Sequence, residues 1–250
     1  MTPEELLRYA PPADLLAGRT VLVTGAGDGV GRAVALGCAR HGATVILLDR
    51  DVPALESCYD AIEAAGGPQP AIYPLDLAQA GVDDYRRLAD IVGEQFGQLD
   101  GLVNNAGHIG AFTPFAQCPP ELYREVMAVN LHAPFFLTQA CLPLLQTAPD
   151  PAIVFSTHRL QRAYTAPFGI AKAGLAALLA ILADELDADP AVRVNGLDTG
   201  PLNTAMRRAH YPGEPWAERP APEYVVPAYL YFLGPDSRGR TGHDISLQPA

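Results

Sequence analysis

A cluster of glycines follows the first apolar run of the chain, at the point where a helical pattern begins. Glycine lets a backbone turn tightly and approach a ligand closely, and the amino end of a helix offers unpaired N–H donors to an anion. The spacing GxxxGxG therefore predicts a turn that holds the phosphates of a dinucleotide, although glycine-rich turns also occur where a helix simply packs close to a strand. The candidate contact residues in this turn are Gly25, Asp28, Gly29, Val30 and Gly31.

An acidic residue, Asp49, ends the second apolar run, roughly twenty residues beyond the glycines. A carboxylate at that separation can accept a hydrogen bond from the 2′-hydroxyl of a ribose, and it would repel the 2′-phosphate of NADP. We therefore predict NAD as the cofactor. NADP stays open because the adjacent Arg50 could attract a phosphate. The alternative for Asp49 is the amino-terminal cap of a following helix.

A third chemical signal is Lys172, the only lysine among the seventeen Lys and Arg residues of the chain. An ammonium group is compact and has rotatable donors, which a guanidinium cannot imitate. Lys172 is therefore predicted to hold a ligand. The alternative is a surface lysine on a helix.

The elements that must position these residues alternate along the chain. Short apolar runs rich in β-branched residues alternate with longer segments of helical period, which is typical of βαβ units around a parallel sheet. Strands are predicted at 20–23, 44–48, 71–75, 101–103, 152–155, 192–197 and 244–247, and long helices at 120–145 and 167–187. The expected fold is α/β: one domain over residues 1–250 with a Rossmann-like, doubly wound parallel sheet of about seven strands and helices on both faces.

Residues 199–222 break this pattern, because Pro, Gly, Arg and one Trp replace the periodic apolar residues. A stretch after a late strand lies at the carboxyl edge of the sheet, where open α/β folds bind ligands. The segment is predicted to be a substrate lid, with a plain surface loop as the alternative. Its candidate apolar walls and anion contacts are Met206, Tyr211 and Trp216, and Arg207, Arg208 and Arg219.

The overall charge excludes some partners. A net charge of −11 and a pI near 4.9 oppose binding to nucleic acid or to an anionic membrane surface. The acidic start of the chain is not followed by an apolar run, so no secretion signal or membrane span is predicted and a cytoplasmic location is expected. The four cysteines lack metal-ligand spacing, so no metal site is predicted.

Along nearly its whole length the sequence resembles the short-chain dehydrogenase/reductase family. Gly25, Gly29 and Gly31 match the family's TGxxxGxG. The resemblance implies that Asn130 holds a proton-relay water in a long helix. It also implies cofactor contacts from the pair that flanks the adenine, Asp76 and Leu77. From the NNAG tetrapeptide at 104–107, after the fourth strand, it implies contacts by Asn105, Ala106 and Gly107.

The later segments are most similar to the YciK-type oxidoreductases within that family. The similarity lies in residues 193–195, 204–207, 236–238 and 241–242, together with 14–16 near the amino terminus. It places Thr204 among the cofactor contacts. Gly200 matches the glycine of the family's turn after strand six, which approaches the nicotinamide.

The catalytic positions depart from the family. Its YxxxK motif uses tyrosine as the proton donor, but four residues before Lys172 this chain has Phe168, which cannot transfer a proton. The position of the family's serine falls on His158, whose imidazole suits proton transfer near neutral pH. The loop between His158 and Phe168 is about three residues shorter than in the family. Other candidates for the missing acid are Tyr164, Ser156 and Thr157.

Two functions follow from these residues. The first is hydride transfer between a nicotinamide cofactor and a small carbonyl or alcohol, with Asn130, His158 and Lys172 as catalytic residues. The alternative is a catalytically impaired nucleotide-binding protein that acts as a regulatory or structural subunit. The two long helices have wide apolar faces, and family members commonly pair through them, so a homodimer or homotetramer is expected.

Overall fold

The strands of this protein form one parallel sheet, as a computed structural model covering residues 1–188 and 191–248 shows. Within those residues the sheet has seven strands in the order β3-β2-β1-β4-β5-β6-β7. All six neighbouring pairs are parallel. The bounds, which confirm the predicted strands, are β1 Thr20–Thr24, β2 Thr44–Asp49, β3 Ala71–Pro74, β4 Gly101–Asn104, β5 Ala152–Thr157, β6 Arg193–Asp198 and β7 Asp244–Ser246.

Helices cover both faces of the sheet. They are α1 Pro3–Leu7, α2 Gly29–Arg40, α3 Val52–Ala64, α4 Val82–Phe96, α5 Pro120–Met127, α6 Ala133–Gln146, α7 Ala166–Glu185, α8 Ala205–His210 and α9 Val226–Leu233. Successive side chains of a strand point to opposite faces. Val21 and Val23 of β1 therefore pack with α2, α3 and α9, whereas Leu22 packs with α4, α6 and α7. This confirms the doubly wound α/β fold.

The predicted helix at 120–145 is present, but a π turn at Ala128–His132 interrupts it between α5 and α6. Such turns hold one extra residue and occur frequently at functional sites. Asn130 lies in the middle of this one. The turn therefore marks the same position that the family resemblance singled out.

Two helical stretches are long and apolar enough to cross a membrane by length and composition. They are Pro120–Gln146, with a mean hydropathy of 1.3, and Ala166–Glu185, with 1.8. Both pack against the same face of the sheet, where Leu137 of α6 and Leu175 of α7 are almost fully buried. Covering the sheet accounts for part of their apolar composition, because 39% and 44% of the two apolar windows are buried in this way.

A buried carboxylate holds the amino ends of three strands together. Asp150, which precedes β5, forms ion pairs with Arg19 before β1 and, at 3.3 Å, with Arg193 at the start of β6. The Arg19 guanidinium also donates to the backbone carbonyls of Asp150 and Leu233. The side chains of Asp150 and Arg193 are only 8% and 7% exposed, so water cannot replace either partner.

Asp150→Ala is expected to lower the free energy of unfolding by about 3 kcal/mol or more, because it leaves the buried Arg193 guanidinium without its countercharge. Urea denaturation measures this loss. The matched control is Asp83→Ala, which removes an exposed ion pair with Arg86 and is expected to cost below about 1 kcal/mol. Equal, small losses in both variants would contradict a structural role for the Asp150 cluster.

Candidate active site

The glycine turn joins β1 to α2 as predicted. Gly25 and Gly29 have φ angles of +69° and +54°, in the left-handed region that favours glycine. A Cβ atom on Gly31 would lie 2.0 Å from the carbonyl oxygen of Gly25, so no larger residue fits there. The turn thus brings the amino end of α2 to the carboxyl edge of the sheet. Gly31 lies in the first turn of α2 and does not line the cleft, so it lets the glycine turn pack against the helix instead of facing a ligand.

Asp49 ends β2, and three backbone N–H groups fix its carboxylate. Gly27 donates at 3.1 Å, Arg50 at 2.7 Å and Asp51 at 3.2 Å. The cap of α3 is Asp51, which accepts from the backbone N–H of Ala54. The alternative that Asp49 caps this helix is therefore wrong. Its carboxylate faces a cleft instead.

Two adjoining cavities form this cleft along the carboxyl ends of the strands. It crosses the point between β1 and β4 where the strand order reverses, which is the usual ligand site of open α/β sheets. Nearly all the predicted contact residues meet here. Those that line the cleft are Gly25, Asp28, Gly29, Val30, Asp49, Arg50, Asp76, Leu77, Asn105, Ala106, Gly107, His158, Lys172, Gly200 and Thr204.

The NNAG segment is held against β1 by a network around Thr24. The Thr24 hydroxyl accepts from the backbone N–H groups of Asn105, at 2.9 Å, and Ala106, at 3.0 Å. The Asn105 side chain donates to the Thr24 carbonyl, and it accepts from the Ser156 hydroxyl at the end of β5. These contacts fix the floor of the cleft across β1, β4 and β5.

Asn130 lies behind the cleft and is fully buried. Its Nδ2 donates to the carbonyls of His108 at 2.7 Å and Val126 at 2.8 Å, and its Oδ1 accepts from the backbone N–H of His108. The side chain thus ties the π turn to the loop after β4. Any role it has in proton transfer would be indirect, because Asn130 does not line the cleft.

Lys172 lies on α7 and is 5% exposed, so the alternative of a surface lysine is wrong. Its Nζ donates to the backbone carbonyl of Ser156 at 2.8 Å and lies 5.7 Å from the centre of the Phe168 ring. Burial lowers the pKa of Lys172 to about 8, and the negative charge of Asp198 opposes that shift. The ammonium therefore stands in the cleft with two further donors for a ligand.

His158 follows β5, and its ring is held by an acid that the sequence analysis did not assign. Nδ1 of His158 lies 3.0 Å from Oδ1 of Asp198, the last residue of β6. Burial by itself would raise the pKa of Asp198, but hydrogen bonds from His158 and from the backbone N–H of Gly200 outweigh it and lower that pKa. The Phe168 ring centre lies 6.0 Å from the imidazole. The sequence did offer one signal for Asp198, because this acidic residue directly follows the strand predicted at 192–197.

The other candidates for the missing acid are less well placed. Tyr164 is 60% exposed and does not line the cleft. The Ser156 hydroxyl is shared with Asn105 and the buried Tyr229, and the Thr157 hydroxyl donates to Asp244 at 2.6 Å. In the part of the chain that the structure describes, no hydrogen bond engages Nε2 of His158. The imidazole is therefore the candidate with an available proton site.

The segment 199–222 contains α8 and a short 3₁₀ turn, and it packs over the loop that follows β4. Met206, Arg207 and Tyr211 line the cleft, whereas the predicted contacts Arg208, Trp216 and Arg219 do not. Arg207 pairs with Glu214, and its guanidinium carbon lies over the Tyr211 ring, 3.6 Å from the ring centre. A role for this segment as a movable lid stays a prediction.

Comparison with known proteins agrees with this architecture. A family model described as short chain dehydrogenase matches residues 19–215. The chain belongs to the short-chain dehydrogenase family. Among its relatives, the uncharacterized oxidoreductase YciK of Escherichia coli (strain K12) is 37% identical over 246 residues, which cover 97% of each chain. The predicted family resemblance is thereby confirmed.

Solved structures of short-chain dehydrogenases superpose closely on this one. A chain from Pseudomonas syringae has a TM-score of 0.93 and 44% identity, covering 96% of this chain and 98% of that one. A chain from Shigella flexneri 2a str. 301, complexed with NADP, has a TM-score of 0.91 and 36% identity, covering 95% of this chain and all of the other. The parallel sheet and its helices are thus the short-chain dehydrogenase fold.

Proposed function

We propose that this short-chain dehydrogenase interconverts a small carbonyl and its alcohol with a nicotinamide dinucleotide, and that His158 replaces the family's tyrosine as proton donor and acceptor. The observation that carries this proposal is the His158 imidazole in the cleft, close to Phe168, with Nδ1 held by Asp198 and Nε2 available. A positioned imidazole is an effective general acid and base near neutral pH.

The residues of the cleft fit a nicotinamide dinucleotide. Gly25 and Gly29 line the cleft beside the amino end of α2, where unpaired N–H groups and the helix dipole favour an anion such as a pyrophosphate. Gly31 contributes indirectly, because its missing side chain lets the Gly25 carbonyl come close. Asp49 lies where an adenosine ribose would be held, and the cleft continues from there to Lys172 and His158. When bound, the nicotinamide supplies or accepts the hydride. The NADP complex of the Shigella relative supports this class of cofactor.

Lys172 and Phe168 have separate roles in this proposal. The ammonium of Lys172, fixed by the Ser156 carbonyl, retains two donors for the hydroxyls of the nicotinamide ribose. Phe168 occupies the family's tyrosine position and supplies an apolar wall beside the imidazole. Exclusion of water by that wall strengthens the electrostatic effect of the nearby charges on the reacting oxygen.

We further propose NAD as the preferred cofactor. The three N–H groups that donate to Asp49 hold its carboxylate in place, so a 2′-phosphate beside it would be repelled. Arg50 also lines the cleft, but it is exposed, so solvent screens its charge and it offsets that repulsion only weakly.

The unmodified protein is expected to bind NADH at least about fivefold more tightly than NADPH, which corresponds to roughly 1 kcal/mol for two charges in contact with water. Asp49→Ala should reduce this preference. Fluorescence titration with both cofactors measures it, with Glu56→Ala on the exposed face of α3 as a control that leaves the ratio unchanged. Equal affinity of the unmodified protein for the two cofactors would refute the assignment.

The role of His158 is tested by exchanging the two atypical residues. His158→Ala is expected to lower kcat for a panel of small aldehydes and diketones by about 10²- to 10⁴-fold, the usual contribution of a general acid. Phe168→Tyr alone should change kcat little. Combining it with His158→Ser restores the family's hydroxyls beside Lys172 and should recover activity relative to His158→Ala. Steady-state NADH oxidation measures all of these variants.

Tyr164→Phe serves as the control, because this exposed tyrosine lies outside the cleft and its loss should leave kcat unchanged. Full activity of His158→Ala would show that another group transfers the proton. Tight NADH binding without turnover in every variant would instead favour the alternative function, a nucleotide-binding regulatory or structural subunit.

We also propose that two copies of the chain pair through the long helices. A shallow apolar groove runs between the α5–α6 stretch and α7, and it is lined by Leu131, His132, Phe135, Phe136, Gly174, Ala177, Leu178 and Ile181. Within it, Phe135 is 44% exposed and Ile181 is 60% exposed. Large apolar side chains grouped in this way favour burial by a self-complementary surface.

Light scattering at micromolar concentration is therefore expected to give at least a dimeric mass. Ile181→Glu should lower that mass toward the monomer, because burial of an unpaired carboxylate opposes association. Val82→Glu adds the same charge at the start of α4, outside the groove, and should leave the mass unchanged. A monomeric mass for the unmodified protein would contradict the proposed pairing.

A further inference from the structure

Asp198 places a buried carboxylate directly behind the proposed acid. Its side chain is 2% exposed, whereas the side chain of His158 is 22% exposed and lines the cleft. Besides Nδ1 of His158, the carboxylate accepts from the backbone N–H of Gly200 at 3.1 Å and from the Gln248 side chain at 3.3 Å. The Asp198 carboxylate is thus held from several sides and cannot turn away from the imidazole.

The juxtaposition depends on strand register. Thr157 and Asp198 are direct partners in the parallel pairing of β5 with β6, so His158 begins the loop next to the strand end that carries the acid. The other charged groups around this site are Lys172 on α7, Arg159 after β5, Asp244 on β7, and Asp28 and Arg207 across the cleft. Of these groups, Asp244 bonds to Thr157 and Arg159.

An ionised carboxylate can only accept hydrogen bonds. Nδ1 of His158 must therefore carry the hydrogen that lies toward Asp198, and Nε2 is left as the atom that gains and loses the catalytic proton. Without that partner, a neutral imidazole could carry its hydrogen on either nitrogen. The contact therefore selects both the tautomer and the orientation of the ring.

We propose that Asp198 is the positioning residue of the active site: it holds His158 with Nδ1 protonated and stabilises the imidazolium from which Nε2 donates. This inference rests on the proposed role of His158. During reduction, the carbonyl carbon would gain the hydride that a bound reduced nicotinamide supplies, and that cofactor would be oxidised. The carbonyl oxygen takes the proton from Nε2 as the C=O π bond opens. The imidazole becomes neutral, and Asp198 stays ionised. Oxidation of the alcohol runs the same steps in reverse.

Asp198→Asn tests this role because the amide has nearly the same shape but lacks the charge, and its NH₂ group can donate to Nδ1 and so favour the other tautomer. We expect kcat to fall by about 10²-fold or more, as for the loss of an orienting acid, while the Kd for NADH stays within about twofold. The pH profile of kcat should shift as well, since the imidazolium loses its countercharge.

The matched control is Asp244→Asn. It removes a neighbouring carboxylate that bonds to Thr157 and Arg159 and has no contact with the imidazole. Its kcat should stay within about threefold of the unmodified enzyme, and its pH profile should not move, because a carboxylate that only braces the strand acts on stability. Equal losses of kcat in both variants, or an unmoved pH profile in Asp198→Asn, would overturn the assignment.

Nitrogen-15 NMR of the His158 ring, recorded on the full chain without substrate, gives a readout that needs no turnover. The expected neutral form carries hydrogen on Nδ1, and Asp198→Asn should change that tautomer. Hydrogen on Nε2 in the unmodified protein would overturn the inference even if His158→Ala proves His158 to be the acid. If Asp198→Asn fails to fold, the spectrum of the unmodified protein still shows which ring nitrogen carries the hydrogen, and so tests the inference. Full activity of His158→Ala would defeat the proposed function alone.

Discussion

The parallel pairing of the strands is the constraint on which the site depends. In a parallel sheet all carboxyl ends lie along one edge, so residues that are far apart in sequence meet there. The glycine turn follows β1, Asp49 ends β2, the NNAG segment follows β4, His158 follows β5 and Asp198 ends β6. One edge thus assembles the whole cleft, and the helices mainly bury the two faces of the sheet that keep this edge in place.

The chemistry of the cleft rests on buried charge. Removing an ammonium or a carboxylate from water is costly unless a partner of opposite charge is close. Asp198 is that partner for His158, and its charge also acts on Lys172. Another buried acid, Asp150, lies among the amino ends of the strands, where it neutralises arginines. A similar arrangement of charges therefore stabilises the scaffold at the amino ends of the strands and, in the proposed mechanism, tunes proton transfer at their carboxyl ends.

Replacement of tyrosine by phenylalanine changes what the surrounding residues must do. A tyrosine hydroxyl carries its own proton, and a neighbouring ammonium can lower its pKa. Phe168 offers only an apolar ring, so in the proposed mechanism the proton comes from a neighbouring group on the wall of the cleft. His158 lies there and has two ring nitrogens. Asp198 holds the ring at Nδ1, which leaves Nε2 available for the proton. A serine at position 158 has only one polar side-chain atom. An acid could not hold it at one atom while it donates a proton from another.

Several features of this protein follow from the sequence by itself. The seven strands, the glycine turn and the acid at the end of β2 depend on local periodicity and on residues adjacent in the chain, and all were predicted within a few residues. The family was predicted from motifs such as TGxxxGxG and NNAG. Each motif lies within one short segment of the chain, so it can be identified without knowing the fold.

Other features were decided only by the tertiary structure. His158 and Asp198 are forty residues apart, and their contact depends on the register of β5 with β6 and on the direction of both side chains. The same holds for Asn130, whose hydrogen bonds to His108 place it behind the cleft, and for the choice of Asp51 over Asp49 as a helix cap. No local pattern encodes such contacts, because the packing of distant segments determines which polar atoms lose water and must find partners.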